Sequence, residues 1–212
     1  MINIQCFTFN EFQENTYILY DETRECVIID PGCNNISEKE ELSRFIENNN
    51  LITKHLLNTH CHIDHILGNK FVAEKYNLKL TSHKKEAQVL AFGQNTANMY
   101  HIPYELSPEI EIFIDEGDII YFGNSKLNVL FTPGHSPASI SFVNAEERLC
   151  ISGDVLFKGS IGRTDLPGGN FETLTRVIKA KIFTLPEDTK VYSGHGPHTT
   201  VGTEKRTNPF FQ

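Results

Sequence analysis

The stretch Thr59-His60-Cys61-His62-Ile63-Asp64-His65 sets three imidazoles and one carboxylate within six consecutive residues, 60 to 65. Imidazole suits zinc and the first-row transition metals, and a carboxylate adds a hard anionic donor. In an extended segment side chains alternate, so His60 and His62 point one way and Cys61 the other. Asp64 and His65 follow as the chain turns, and so face a second point in space. One short loop thereby offers donors to two metal ions. A cluster of solvated surface histidines is the plainer alternative, but H-x-H-x-D-H is a specific spacing with a small chance-match risk.

A dinuclear centre needs more donors than one loop supplies. Three later positions share a common grammar, in which a short apolar strand runs into glycine and then a donor. They are His135 in Thr132-Pro133-Gly134-His135-Ser136, Asp154 in Ile151-Ser152-Gly153-Asp154, and His195 in Tyr192-Ser193-Gly194-His195-Gly196-Pro197. Glycine lets the backbone approach closely, and strand ends are rigid supports. The donors then divide as His60, His62 and His135 for one ion, and Asp64, His65 and His195 for the other, with Asp154 able to bridge. Two divalent cations, two aspartates and a bridging hydroxide leave a core suited to polarising a carbonyl and holding a developing oxyanion. His55, His83 and His101 lack this context. His198 lies close to His195 in sequence but reads as a loop histidine.

The elements that must position these donors are short. Strands are expected at 2–9, 15–20, 25–30, 78–82, 110–114, 118–122, 126–131, 139–143, 149–152 and 189–193, with one more leading into His60. Ser37 and Glu40 form a capping-box pattern for a helix over 38–48, with Leu42, Phe45 and Ile46 on one face. Further helices are expected over 64–76, 84–92 and 171–183. Strands gathered in two groups, each with helices alongside, suggest two packed sheets covered by helices. No linker or repeat divides the chain, so residues 1–212 read as one domain.

Composition narrows the function. The chain has 212 residues, 39% of them hydrophobic and 22% charged, as in ordinary soluble proteins. A formal charge of −8 argues against a nucleic-acid surface. The five cysteines form no C-x-x-C pair, so free thiols in a reducing compartment are expected rather than disulfides. No signal peptide and no membrane span are expected, which together suggest the cytoplasm.

These residues, in this order, resemble the metallo-β-lactamase superfamily along the whole chain. The resemblance implies an α+β fold, an αβ/βα four-layer sandwich of two mixed β-sheets flanked by helices, with the metals in a cleft at one sheet edge. It also implies that Asp154 bridges the ions and that Asp30, in Ile29-Asp30-Pro31-Gly32, orients a metal-binding histidine from behind. The ions would be two divalent metals, zinc first, with iron or manganese as alternatives. Thr132–Ser136, Ser152–Phe157, Gly162-Arg163-Thr164-Asp165 and Ser193–Pro197 look most like the glyoxalase II group. That group hydrolyses acylglutathione thioesters such as S-lactoylglutathione. Asp64 would be both ligand and catalytic partner of the attacking hydroxide.

Departures from that group bear on the substrate. The sequence reaches Gln212 soon after His195, and the extra helical domain that binds glutathione in full-length glyoxalase II is not expected. Arg163 matches a substrate-binding cation of the family, but Asp165 replaces an aromatic contact and should oppose anionic glutathione unless Arg163 pairs with it. Lys158, Lys205 and Arg206 are candidate cations near the mouth. Two other classes remain open. Glutathione persulfide dioxygenases share the motifs, including Gly-Arg-Thr-Asp, and use one iron. A non-catalytic metal-binding module is the third.

Overall fold

A computed structural model describes residues 1–212. Strands β1 (Asn3–Phe9), β2 (Glu14–Tyr20), β3 (Glu25–Ile29), β4 (Ile52–Leu57), β5 (Leu80–Ser82) and β6 (Ile110–Phe113) form a six-stranded sheet in that spatial order. Its first three strands are antiparallel, while β3 to β6 run parallel. Next come β7 (Ile119–Phe122), β8 (Ser125–Phe131), β9 (Ile140–Asn144) and β10 (Leu149–Gly153). A small hairpin follows, β11 (Leu156–Phe157) and β12 (Ser160–Ile161), then β13 (Lys190–Ser193) and β14 (Thr199–Thr200). All but the hairpin make a second six-stranded sheet, ordered β14-β13-β10-β9-β8-β7, whose β10 and β13 are parallel.

The layering is written in the alternation along each strand. Tyr17 and Leu19 of β2, Val27 and Ile29 of β3, and Leu57 of β4 face the second sheet's Ile140, Phe142, Leu149 and Ile151. Their sequence neighbours Ile18, Cys26, Ile28 and Leu56 face the other way, onto Leu42, Ile66, Val72 and Ala97. Cys150 and Val191 likewise turn outward onto Leu174, Ile178, Ile182 and Val201. Three apolar interfaces separate four layers, helix–sheet–sheet–helix, which is the expected sandwich. Strands covered on both faces have no need of polar alternation, so β2, β3, β9 and β10 are almost wholly buried.

Helices α1 (Ile36–Asn48), α2 (Ile63–Ile66), α3 (Asn69–Tyr76), α4 (Ala87–Ala91) and α5 (Gly93–Tyr100) cover the first sheet, and α6 (Phe171–Val177) and α7 (Val201–Thr207) the second. Several boundaries differ from expectation. The capping box of α1 is Asn35 with Glu38, two residues before the Ser37–Glu40 pattern. The single helix expected over 64–76 is broken into α2 and α3. A side chain at Gly68 would lie 2.6 Å from Cys33 Sγ and 2.7 Å from the Pro31 carbonyl, so the chain bends there around Pro31–Cys33. The helix expected over 84–92 is a one-turn 3-10 segment, Lys84–Glu86, leading into α4. The α5 helix was not anticipated, since Gly93, Asn95 and Asn98 are poor helix formers; tertiary packing of Ala97 overrides propensity. The β11–β12 hairpin and α7 were likewise not anticipated.

Phe142 is wholly buried between the sheets. Phe142→Ala should lower unfolding free energy by about 3–5 kcal/mol, read from the midpoint of a denaturant curve, because the inter-sheet space cannot collapse around the loss.

Candidate metal centre

Parallel strands point their C-terminal ends the same way, and that edge collects the donors. β3 ends just before Asp30, and β4 leads through Asn58 and Thr59 to His60. β10 ends before Asp154 and β13 before Gly194-His195, while β8, parallel to β10 through two antiparallel steps, leads to His135. Backbone bonds lace the two sheets together at this edge: Ile140 N donates to Thr59 O at 2.9 Å and Asn15 N to Gly194 O at 2.7 Å.

All seven expected donors converge there. The ring nitrogens of His60, His62 and His135 form one tight group, with His135 Nε2 lying 3.2 Å from His60 Nε2 and 2.8 Å from His62 Nδ1. Asp64, His65 and His195 form a second, with His195 Nε2 at 3.1 Å and His65 Nε2 at 3.5 Å from Asp64 Oδ2. Asp154 touches both groups, since its Oδ2 lies 3.5 Å from His135 Nε2 and from His195 Nε2, and its Oδ1 3.5 Å from His65 Nε2. Cys61 points away into the apolar core between the first sheet and its helices. A side chain at Gly194 would overlap Asp154 Oδ1 and approach His65 Cε1 to 2.6 Å, so only glycine lets the strand pass the centre this closely.

The rings are aimed by what holds their other nitrogen. His135 Nδ1 faces the Arg163 carbonyl at 2.9 Å, and His195 Nδ1 faces the carbonyls of Phe12 and Gln13 at 3.1 and 3.2 Å. Carbonyls only accept, so both Nδ1 atoms carry a proton and both Nε2 atoms turn inward toward the other donors. Asp30 acts similarly on His65, whose Nδ1 is 3.2 Å from its Oδ2. Thr59 Oγ1 gives its proton to the same Asp30 oxygen at 2.6 Å, and is therefore free to accept from His60 Nδ1 at 3.1 Å. Asp30 also takes Thr59 N and Asn58 Nδ2 at 2.7 and 3.3 Å. Although Asp30 lies in a tight grouping with His60 and His65, its oxygens are committed to these donors, the orienting position expected of it.

Charge separates the two groups. Burial, reinforced by the neighbouring imidazoles, pushes His60 well below the usual histidine range, and burial with His135 pushes His62 down to about 3. Burial lowers His135 as well, so the first group offers neutral lone pairs. In the second group burial again opposes the charged form, but Asp64 and Asp154 outweigh it. They lift His65 well above its usual range and His195 to about 10. Protons there stand where cations would.

The donor set fits divalent metal. His65 Nε2 and Asp154 Oδ1 are buried with no hydrogen-bond partner, an arrangement that costs stability unless a cation completes it. Glu14, which sequence reasoning missed, is fully buried beside this group, its Oε1 3.8 Å from His65 Nδ1.

Around the mouth, Phe157 of the β11–β12 hairpin lies 6.2 Å from His195, ring to ring. Lys158 is exposed on the turn of that hairpin. Arg163 does pair with Asp165, through Nε to Oδ1 at 2.8 Å and Nη2 to Oδ2 at 2.7 Å. Lys205 and Arg206 do not reach the mouth. Their charges face Glu187, in the turn entering β13 at the end away from His195. His198 stacks on Tyr192 instead of joining the donors.

The profile of the metallo-beta-lactamase superfamily matches residues 9–195. The chain belongs to this superfamily, and is a metal-dependent hydrolase of it, carrying His/Asp groups for divalent metal. It is 42% identical over 199 residues to the probable metallo-hydrolase YqgX of Bacillus subtilis, covering 93% of this chain and 92% of that one. With the hydroxyacylglutathione hydrolase GloC of Haemophilus influenzae it shares 34% identity over 216 residues, covering 99% and 98% of the two chains. The fold is also that of solved structures. BLEG-1, described as a B3 metallo-beta-lactamase, superposes with a TM-score of 0.90 at 35% identity, covering 99% of this chain and 100% of that one. TTHA1623 in a di-iron-bound form gives 0.88 at 34%, covering 97% and 99%. ETHE1 from Myxococcus xanthus gives 0.80 at 27%, covering 98% and 83%. No helix is long and apolar enough to cross a membrane.

Metal binding must displace the protons held by the second group. Zinc added to metal-stripped protein at neutral pH should therefore release protons, and its affinity should climb as pH rises toward about 10, where His195 gives up its proton. Calorimetry in two buffers of different ionisation heat checks this; a binding heat independent of buffer would contradict it. Gly194→Ala should lose most bound metal while keeping the wild-type circular dichroism spectrum.

Proposed function

We propose that this chain hydrolyses thioesters, with S-acylglutathiones such as S-lactoylglutathione as the substrate class, using two divalent ions, zinc first. The carrying observation is Asp154, a carboxylate within 3.5 Å of nitrogens from both donor groups, which suits a shared ligand better than two separate sites. The 34% identity to a hydroxyacylglutathione hydrolase across 99% of this chain supports the choice of substrate. Divalent ions in such a centre supply Lewis acidity and bring the pKa of a coordinated water toward about 7.

The chain's own residues do the rest. His60, His62 and His135 hold one side of the centre, and Asp64, His65 and His195 the other. Asp64 orients the attacking water. The water gives up a proton to solvent as its oxygen bonds to the acyl carbon, and the carbon–sulfur bond breaks with its electron pair going to sulfur. A thiolate leaves readily, so no strong acid is required. Phe157 and the exposed Lys158 border the leaving group, and Arg163 meets the carrier's anionic end. Because Asp165 occupies the Arg163 fork, glutathione is held loosely. The five free cysteines fit a reducing, cytoplasmic setting.

A second reading is a mono-iron dioxygenase acting on glutathione persulfide. His135 and Asp154, with one histidine of the His60/His62 pair, make a two-histidine, one-carboxylate set, and the likeness to ETHE1 points the same way.

Metal content of protein purified without added metal tests the two readings. About two zinc-like ions per chain with turnover of S-lactoylglutathione supports the hydrolase. About one iron with oxygen uptake on persulfide supports the dioxygenase. Asp64→Ala should lose metal from the second group and at least about 10²-fold in turnover with the fold intact; full activity would sink the dinuclear mechanism. Asp165→Asn should lower KM for acylglutathione by up to about fivefold at unchanged kcat, the scale of an exposed ion pair.

A further inference from the structure

Glu86 closes the one-turn 3-10 segment Lys84–Glu86, and no part of it reaches solvent. A buried carboxylate is costly unless its oxygens are hydrogen-bonded. Its Oε2 accepts from the backbone N–H of Cys61 at 2.9 Å. Its Oε1 accepts from the Ser136 hydroxyl at 2.6 Å and the Ala138 N–H at 2.9 Å. Cys61 sits between His60 and His62, and Ser136 follows His135. The first loop leaves β4 of one sheet, and the second joins β8 to β9 of the other. One anion therefore ties together the two loops that carry every member of the three-histidine group. The second group has different supports, namely Asp30 behind His65 and the Phe12 and Gln13 carbonyls behind His195.

We infer that Glu86 is the positioning residue of the three-histidine group, setting the distance between the His60/His62 loop and the His135 loop across the junction of the sheets. It touches no donor side chain. Its effect passes through the backbone of Cys61 and Ala138 and the hydroxyl of Ser136, which also lies 2.6 Å from Ser139 Oγ. Imidazoles brought in from two sheets need such a fixed span, because a loop shift of a few tenths of an ångström separates nitrogens that must share one ion. A carboxylate suits the position better than an amide does, since both its oxygens accept. Glutamine would set an N–H against an N–H at one of the three contacts.

The test is zinc titration of metal-stripped protein followed by NMR of ¹⁵N-labelled histidines, which reads the two groups separately. In Glu86→Gln, the zinc concentration at which His60, His62 and His135 respond should rise about 10–100-fold, while that for His65 and His195 moves less than about threefold. Glu86→Asp, which keeps two acceptors on a shorter stem, should recover part of the loss. If Glu86→Gln does not fold, Ser136→Ala removes one contact and keeps the carboxylate with both N–H donors; it should weaken the same three histidines only. Equal weakening of both groups, or unchanged zinc response with a lowered unfolding midpoint, would overturn the inference and leave Glu86 a packing residue.

Discussion

Imidazole lone pairs and carboxylates packed within a few ångströms of one another repel unless something holds each in place, and that repulsion is the constraint around which this edge of the molecule is built. Four rings are pinned from behind by an acceptor on Nδ1: a carboxylate for His65, a hydroxyl for His60, and backbone carbonyls for His135 and His195. The acceptors lie on strand ends or in the loops between them, and the strands are fixed by cores on both of their faces. A metal site in this fold is thus prepared before any ion arrives. Binding then costs the displacement of protons from the second group more than a rearrangement of the chain.

The seven donors were readable because their chemistry is rare and their setting repeated. Gly134-His135, Gly153-Asp154 and Gly194-His195 each follow an apolar strand, and the glycine at 194 turns out to be required by the proximity of Asp154 and His65. The sandwich was readable because strands buried on both faces leave apolar runs such as Val27–Ile29. Glu86 could not be found this way. An acidic residue among Lys84, Lys85 and Gln88 has the composition of a solvated helix face, and only the third dimension brings it beneath two loops. Glu14 was hidden for the same reason, and the break at Gly68 depends on Cys33, far away in sequence. Lys205 and Arg206 mislead in the opposite sense: proximity to His195 along the chain is undone by the antiparallel turn through β14, which carries them toward Glu187.

In the proposed function, substrate preference rests on exposed side chains at the mouth. His60 and His65 are held by Thr59 and Asp30 deep in the structure, whereas the Arg163–Asp165 fork stands in solvent. Arg163 nonetheless couples the two regions, since its backbone carbonyl anchors His135 while its guanidinium is engaged by Asp165. The C-terminal helix acts on the same region from behind. Buried Glu204 accepts from Gly159 N–H, and Asn208 Nδ2 donates to the Ser160 carbonyl, so α7 braces the hairpin that carries Phe157 and Lys158. The mouth can change its charge through exposed side chains while the donors behind it stay fixed.

The division of the donors between the two sheets has a consequence for synthesis. Residues 60 to 65 leave the ribosome well before 135, 154 and 195, so the early half presents a loop with three imidazoles and a carboxylate but only fragments of either group. The three-histidine group can close once β8 delivers His135, but the second group cannot close until β13 has been laid beside β10 and brings in His195. Loading of both groups is therefore deferred until the second sheet has formed, and a fully loaded centre certifies that both halves have met.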